Sequence, residues 1–391
     1  MTFKVDIWHN ILWSKYKGAV FGEVHREAVR RGIEARFFQI AETENDRRGL
    51  GEADRRYHKY PYDLIWDGSY QDIPIFRLVG NLFLRVLRSD ADLVVIAGYH
   101  KIEYWAQLIA ARLVRKKVMV FCDSTYFDNP RHPIKDFLKK TFFRHCDGFF
   151  SYGQRSMQYL VSYGVPTHKI FLRCQAAALT QDYDPQIALD RRIAALRRGA
   201  NPVILYVGRL APEKNLPLLL QAFGALAKDD PRSTLKLVGE GPERKALELA
   251  AESMALSARV VFAGGLSGQQ LFDEYVNAAC LVLPSSSEPW GLVVNEALSY
   301  GCPVVVSDHC GCAPDLVLEG TTGFRFSTFD VASLEAKLRA ALAPGFANDG
   351  VARACVQLMG NFTPERAASA IVAGLERVAE RTAQEAALSQ R

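Results

Sequence analysis

Short apolar runs recur along the chain, and each is followed by a longer segment whose apolar positions repeat with helical period. The first half reads FKVDIW, a helix-like AVFGEVHREAVRRG, EARFFQI, YDLIWDG and a helical IFRLVGNLFLRVLRS. It continues with ADLVVIAG, a helix near Tyr104–Val114, KKVMVFC, a helix near Pro133–His145, and DGFFSYG. The strand-like runs are apolar throughout, which predicts a parallel sheet buried on both faces rather than a sandwich. Between about Gln175 and Asn201 the alternation lapses into a polar stretch, helical at best, ending in a turn signal. It then restarts with PVILYVG, a helix Leu216–Ala227, TLKLVGEG, a helix Glu243–Met254, RVVFAGG, a helix near Gln269–Ala278, CLVLPSS, a helix near Leu292–Tyr300, and PVVVSD. The restart predicts two doubly wound halves. The tail from Thr363 reads as an amphipathic helix with a polar end.

Ligands of open parallel sheets bind outside the carboxyl ends of the strands, so the segments after strands hold the candidate chemistry. After YVG, Gly208 permits a sharp turn, and Arg209 and Lys214 follow in the same loop. A guanidinium fork and a mobile ammonium suit a diphosphate; by themselves they also read as solvated surface cations. LVGEGP sets Gly239 and Gly241 around Glu240, which lets backbone approach a ligand closely or simply makes a turn. The most informative stretch is SSSEPWGLVVNEALSYGCPVVVSD, where Glu288 and Glu296 stand eight residues apart across a Pro-Trp-Gly break. The pattern predicts a helix starting near Gly291 and stopped by Gly301 and Cys302-Pro303. The N–H groups near Gly291, Leu292 and Val293 at such a helix start favour an anion. From the helix, Glu296 can reach a ribose diol, and Glu288, in the loop before it, a sugar on the other side of the diphosphate.

Composition narrows the class. The 391 residues are 49% hydrophobic and 23% charged, ordinary for a soluble globular protein of two or three domains. The net charge of +5 is too weak to imply nucleic acid, and no nucleic-acid partner is expected. Eight cysteines lie scattered, apart from Cys310-Gly-Cys312, as expected of buried thiols in a reducing compartment; no second close pair completes a zinc site. Asp90-Ala-Asp92 and Asp182-Tyr-Asp184 match a two-aspartate metal pattern only weakly, and no essential metal is expected. No apolar run reaches the roughly 18–20 residues of a spanning helix, and MTFKVDIWHN reads as a strand rather than a leader, so a cytoplasmic protein is expected. Arg131–His145 is basic with interleaved aromatics. It reads either as a membrane-surface helix or, the preferred reading, as a helix packing Ile134, Phe137, Leu138 and Phe142 on the core.

SSSEPWGLVVNEALSYGCPVVVSD resembles the E-x7-E signature of the retaining glycosyltransferases of family 4. VGRLAPEKN resembles that family's G-R-x3–4-E-K-N loop, and LVGEGP its G-x-G-P turn. The three occur in order and cover most of the second half; the first half resembles the family only in its alternation and in DGFFSYGQRSMQYLVSYGVPTHKIF. The resemblance implies an α/β protein of GT-B type, two doubly wound Rossmann-like domains facing a central cleft. Residues 1–180 would form an acceptor-binding domain, 181–365 a nucleotide-sugar-binding domain, and 366–391 a helix packing back on the first. It further implies a nucleoside-diphosphate-sugar donor, with no other cofactor. Arg209 and Lys214 would hold the diphosphate with help from Gly208, Gly239, Glu240 and the helix start at Gly291, Leu292 and Val293. Glu296 would bind the ribose, and Glu288 the transferred sugar.

Two features depart from the family. The place of its Gly-Gly loop holds IWHNILWSKYKGAVF, with only Gly18 and the nearby Lys17, and the place of a family histidine after KVMVFCDST holds Cys122 and Asp123. Asp123 reads either as a hydrogen-bond acceptor for the donor sugar or attacking hydroxyl, or as a cap; His100, after ADLVVIAGY, reads as a donor contact or as structural. The leading expectation is a retaining, metal-independent hexosyltransferase acting on a saccharide or lipid-linked acceptor in cell-surface polysaccharide or glycolipid synthesis, cytoplasmic or peripheral at the inner membrane face. Glu288, Lys214, Arg209 and Asp123 are its catalytic candidates. The alternatives are a non-catalytic sugar-nucleotide-binding protein on the same scaffold and a nucleotide-sugar isomerase.

Overall fold

The computed structural model describes residues 2–45, 53–128, 132–180 and 182–389. Arg131, the first residue of the basic stretch, lies outside the described residues. The chain divides into two compact units, one of Met1–Ser124, Pro130–Ala178 and Thr363–Arg391, the other of Thr125–Asn129 and Leu179–Phe362.

The first unit runs β1 (Phe3–Ile11), α1 (Lys15–Arg30), β2 (Ile33–Thr43), β3 (Tyr62–Ser69), α2 (Ile75–Arg88), β4 (Leu93–Ile96) and α3 (Ile102–Leu113). Then come β5 (Lys117–Cys122), α4 (Pro133–Arg144), β6 (Gly148–Ser151), α5 (Gln154–Ser162) and β7 (Ile170–Leu172). Among the described residues these strands form one parallel sheet of seven, ordered β3-β2-β1-β4-β5-β6-β7. The central strands β4 and β6 are buried at every position, which is why they read as unbroken apolar runs. One face packs Val20, Phe21 and Val24 of α1 with Ile371, Val372 and Leu375 of α14 (Pro364–Ser389). The last helix thus belongs to the first unit, beginning at Pro364.

The second unit runs α6 (Pro185–Arg197), β8 (Val203–Val207), α7 (Leu216–Leu226), β9 (Thr234–Val238), α8 (Arg244–Ser253), β10 (Val260–Gly264), α9 (Gly268–Asn277) and β11 (Cys280–Leu283). It continues with α10 (Leu292–Ser299), β12 (Val304–Ser307), α11 (Ala313–Leu316), β13 (Gly323–Phe326), α12 (Val331–Leu342) and α13 (Asp349–Met359). Among the described residues its sheet has six parallel strands, ordered β10-β9-β8-β11-β12-β13. Chain order reverses on either side of β8, so β8 and β11 lie side by side and the loops after them flank the topological switch point, where such sheets bind ligands. Thr125–Asn129, from the loop between β5 and α4, groups with this unit, an excursion that a division at residue 180 does not anticipate. It is held there by the Phe127 ring stacked 3.9 Å from that of His309 and by a 3.0 Å bond from Ser287 Oγ to Asp128 Oδ1.

The structure fills in two local readings and changes a third. The polar stretch after Gln175 contains α6, started by Asp184, whose carboxylate accepts from the N–H groups of Gln186 and Ile187 with Pro185 in the first turn. Asp184 is therefore a helix cap. Asp90 pairs with Lys4 at 2.5 Å and Arg36 at 2.7 Å, and Asp92 accepts from the Lys4 N–H at 2.9 Å, so that acidic pair fastens β1 and β2. On α4, Phe142 and Phe143 are the buried residues, whereas Ile134 is 68% and Phe137 67% exposed, with Leu138 also at the surface. The preferred core packing of Ile134, Phe137 and Leu138 is thus replaced by an apolar surface face. Phe142 and Phe143 of its last turn are the residues that join the core.

Candidate functional site

The residues singled out in the second half gather at the carboxyl ends of β8, β9 and β11, and backbone hydrogen bonds weave their loops together. Gly208 N donates to the Val238 carbonyl at 3.0 Å, Leu210 N to that of Glu240 at 2.9 Å, and Ser286 N to that of Glu213 at 2.9 Å. Close approach dictates one of these residues: a Cβ on Gly239, at φ +139°, would stand 1.9 Å from the Gly208 carbonyl oxygen. The glycine there brings the β9 loop against the β8 loop, whatever it also offers a ligand.

Lys214 ends a short 3-10 turn, and Asn215 after it adopts φ +53° to start α7, a conformation that asparagine tolerates. That turn aims Lys214 at the neighbouring loop, where its Nζ lies 2.5 Å from Glu288 Oε2. Each of the two side chains is 15% exposed, and Ser285 Oγ lies 3.5 Å from the same carboxylate oxygen. The Arg209 side chain is 47% exposed and, among the described residues, its guanidinium pairs with Glu213 of its own turn at 2.7 Å. Such a surface pair is weak, so the guanidinium can swing to another anion at little cost. Glu240 is likewise engaged by Arg244 at 2.6 Å.

The Pro-Trp-Gly break works as a hinge pinned on both sides. Trp290 is buried and donates from Nε1 to Asn295 Oδ1 at 2.7 Å, locking the loop to the helix it precedes. Gly291 caps α10 at φ +100°, where a Cβ would lie 2.7 Å from Leu283 Cδ2. Gly291 brings no side-chain cap to this helix start, so the N–H groups of Leu292 and Val293 add their partial positive charge beside Lys214 and Glu288. The loop after β12 braces the break, Gly311 N donating to the Glu288 carbonyl at 2.8 Å and Cys312 N to that of Trp290 at 3.1 Å. Glu296, one turn further along α10, accepts from the Tyr275 hydroxyl at 2.7 Å. Burial first, then the Glu296 charge, raise the Tyr275 pKa well above its ordinary value, so the phenol remains a donor.

Sequence reasoning missed Tyr275, Ser285 and His309. Tyr275 falls in the apolar stripe of α9 with Phe272 and Val276, and only the fold carries its hydroxyl to Glu296. His309, two residues past β12, donates from Nδ1 to the Ser286 carbonyl at 2.9 Å, supporting the serine loop next to Glu288.

His100 and Asp123 belong to the first unit. They follow β4 and β5, adjacent strands, and Asp123 is exposed. His100 keeps part of its ring exposed, yet desolvation, foremost, and the Lys101 charge lower its pKa, which Asp123 partly opposes. Among the described residues no group of three or more His, Cys, Asp or Glu side chains is placed to hold a metal ion, and no helix is long and apolar enough to cross a membrane.

Known proteins share this layout. The chain is 34% identical over 168 residues to the sulfoquinovosyl transferase SQD2 of Arabidopsis thaliana, a match covering 42% of this chain and 31% of that protein. It is 35% identical over 179 residues to a glycogen synthase of Mycobacterium tuberculosis, covering 45% and 43%, and 35% identical over 181 residues to a D-inositol 3-phosphate glycosyltransferase of Rhodococcus jostii, covering 44% and 39%. The chain thus spans less than half the length of these curated relatives. Among solved structures, the Anabaena protein HepE in complex with UDP and glucose superposes with a TM-score of 0.72 at 16% identity over 96% of this chain and 100% of that one. The apo lipopolysaccharide outer core galactosyltransferase WaaB gives 0.70 at 15% identity over 96% and 99%. The structural likenesses establish the fold, two parallel-sheet Rossmann-like α/β domains matching GT-B glycosyltransferase structures. Residues 190–348, which hold Arg209, Lys214, Glu288, Gly291 and Glu296, match the family model of glycosyl transferases group 1.

Proposed function

We propose that the protein is a retaining glycosyltransferase that moves a sugar from a nucleoside-diphosphate donor to an acceptor hydroxyl. The observation that carries this reading is the Lys214–Glu288 pair set at the glycine-capped start of α10 beside Arg209. A diphosphate at this helix start meets N–H groups, an ammonium and a guanidinium on one side. Glu288 and Glu296 lie on either side of the Gly291 break, suited to the hydroxyls of the transferred sugar and of the ribose. The second unit is thus the donor-binding domain and the first unit binds the acceptor.

The acceptor hydroxyl attacks the anomeric carbon on the face from which the diphosphate leaves. The carbon–oxygen bond to phosphate breaks as the new one forms, and the hydroxyl proton passes to a departing phosphate oxygen. Charge builds on that phosphate, and fixed cations and dipoles stabilise it most where water is displaced. Arg209, Lys214 and the α10 start supply this stabilisation without a metal, and Asp123 is the acceptor-side candidate for orienting the attacking hydroxyl. Two of these curated relatives are named as transferases and HepE holds UDP and glucose, which supports a UDP-sugar as the first donor to test.

The apolar surface of α4, Ile134, Phe137 and Leu138 with the exposed Lys135, Lys140 and Arg144, favours peripheral contact with an anionic membrane and hence a lipid-linked acceptor. The deciding measurement is UDP-sugar consumption by the purified chain and by its Lys214→Ala and Glu288→Ala variants. Near-normal turnover in both variants would sink the assignment.

A further inference from the structure

In the first unit, Lys17 is 3% exposed in the first turn of α1, and Arg173, just past β7, is fully buried. The two share aromatic walls. Lys17 Nζ and Arg173 Cζ each lie 4.4 Å from the centre of the Tyr152 ring, and 4.7 and 5.9 Å from that of Phe121. Lys17 donates to the Tyr152 hydroxyl. Arg173 donates from Nη2 to Gln175 Oε1 at 2.8 Å and from Nε to the Cys174 carbonyl at 3.3 Å, but its buried Nη1 finds no hydrogen-bond partner among the described residues. A guanidinium keeps its charge, and a buried charge is costly unless paired and hydrogen-bonded. Burial, and then the Arg173 charge, hold Lys17 well below its ordinary pKa, while burial brings Arg173 down to about 10; Asp123 acts against both shifts. Asp123, exposed, is the carboxylate among the described residues whose charge acts on both of these buried groups. Phe121, Tyr152 and Arg173 lie at the carboxyl ends of β5, β6 and β7, the ligand side of an open parallel sheet.

We propose that Lys17 and Arg173 form a binding site for an anionic group, phosphate or carboxylate, on the molecule taken by the first unit. Under the glycosyltransferase reading, on which this identification rests, that molecule is an acceptor bearing a phosphate or a uronate-type carboxylate. Arg173 Nη1 supplies the directed donor and Lys17 the point charge, with Tyr152 holding both cations in place.

The test uses the full chain carrying Lys214→Ala, which removes a cation from the second unit's own phosphate-binding region. Sodium phosphate and sodium glucuronate are titrated calorimetrically against sodium chloride of equal ionic strength. One of the two anions is expected to bind and to raise the melting temperature, which tells phosphate from carboxylate. Adding Arg173→Gln or Lys17→Met is expected to weaken that binding at least about tenfold. Where either substitution prevents folding, Arg173→Lys and Lys17→Arg, which keep the charge but change the donor geometry, are expected to weaken it several-fold. Failure of both anions to bind overturns the proposal, as does unchanged affinity in the folded variants. Because binding is read without turnover, a protein that takes up the anion here yet never consumes a donor sinks the transferase reading and leaves the site standing.

Discussion

Lys214 and Glu288, 74 residues apart in sequence, meet at 2.5 Å because the strands before them, β8 and β11, are neighbours in the sheet. Each side chain is mostly buried, so the two charges compensate one another where water does so poorly. Anything that binds at the α10 start must engage or rearrange this pair.

Removing Lys214 therefore has two effects. Lys214→Ala is expected to lower kcat/KM for donor consumption by about 10^2-fold or more, the usual scale for losing one fixed stabilising group. It also leaves Glu288 largely unpaired, at a stability cost of about 1–3 kcal/mol. Steady-state kinetics and urea unfolding read the two separately, and loss of stability with full activity would contradict the assigned role.

Tyr275→Phe deletes one hydroxyl and keeps the ring. The Glu296 carboxylate loses its 2.7 Å donor, and the fold is expected to lose about 1–2 kcal/mol. Under the proposed function KM for the donor rises several-fold while kcat stays within about twofold, because the bond orients a ribose contact that is uniform along the reaction. A matching fall in kcat would place Glu296 in the chemical step instead.

Gly239→Ala is a backbone test. The added Cβ meets the Gly208 carbonyl at 1.9 Å, at a φ of +139° that side chains rarely adopt. Forcing the β8 and β9 loops apart is expected to cost at least about 2 kcal/mol and to displace Arg209 with its loop. A wild-type urea midpoint would show that the loops yield more freely than their hydrogen bonds imply.

Acid should destabilise the first unit before the carboxylates titrate. Burial, foremost, lowers the His9 pKa to about 3 and the His58 pKa to about 4. In the unfolded chain these imidazoles take up protons near pH 6.5. The unfolded state thus binds more protons below that pH, and stability, at its full value above it, falls as pH drops from about 6.5 toward 4. Each histidine contributes a slope of about 1.4 kcal/mol per pH unit. Urea unfolding between pH 7.5 and 5 should show this decline, and His58→Gln should flatten it by about half.

Acidic side chains placed on the apolar face of α4 test the membrane contact. Ile134→Glu with Phe137→Glu is expected to abolish co-sedimentation with vesicles containing phosphatidylserine while leaving the unfolding transition unchanged, since both side chains are exposed. Retained binding would assign the apolar face to another role.

The sequence by itself determined the doubly wound character of both halves. Central strands buried on both faces must be apolar throughout, so β4, β5, β6, β11 and β12 are legible as uninterrupted runs. The short edge strands β7 and β13 are half-buried and escaped notice, because half-burial imposes no such run. The Gly291 break and the acids flanking it were also legible, since helix starts have local chemistry. Tertiary structure alone decided what those acids touch. Strand order brings Lys214 to Glu288, the stacking of α9 on α10 brings Tyr275 to Glu296, and the seven-stranded sheet gathers Lys17, Tyr152 and Arg173 from distant segments. Local sequence patterns report whether a residue is buried; which residues share a site depends on strand order, which no local pattern encodes.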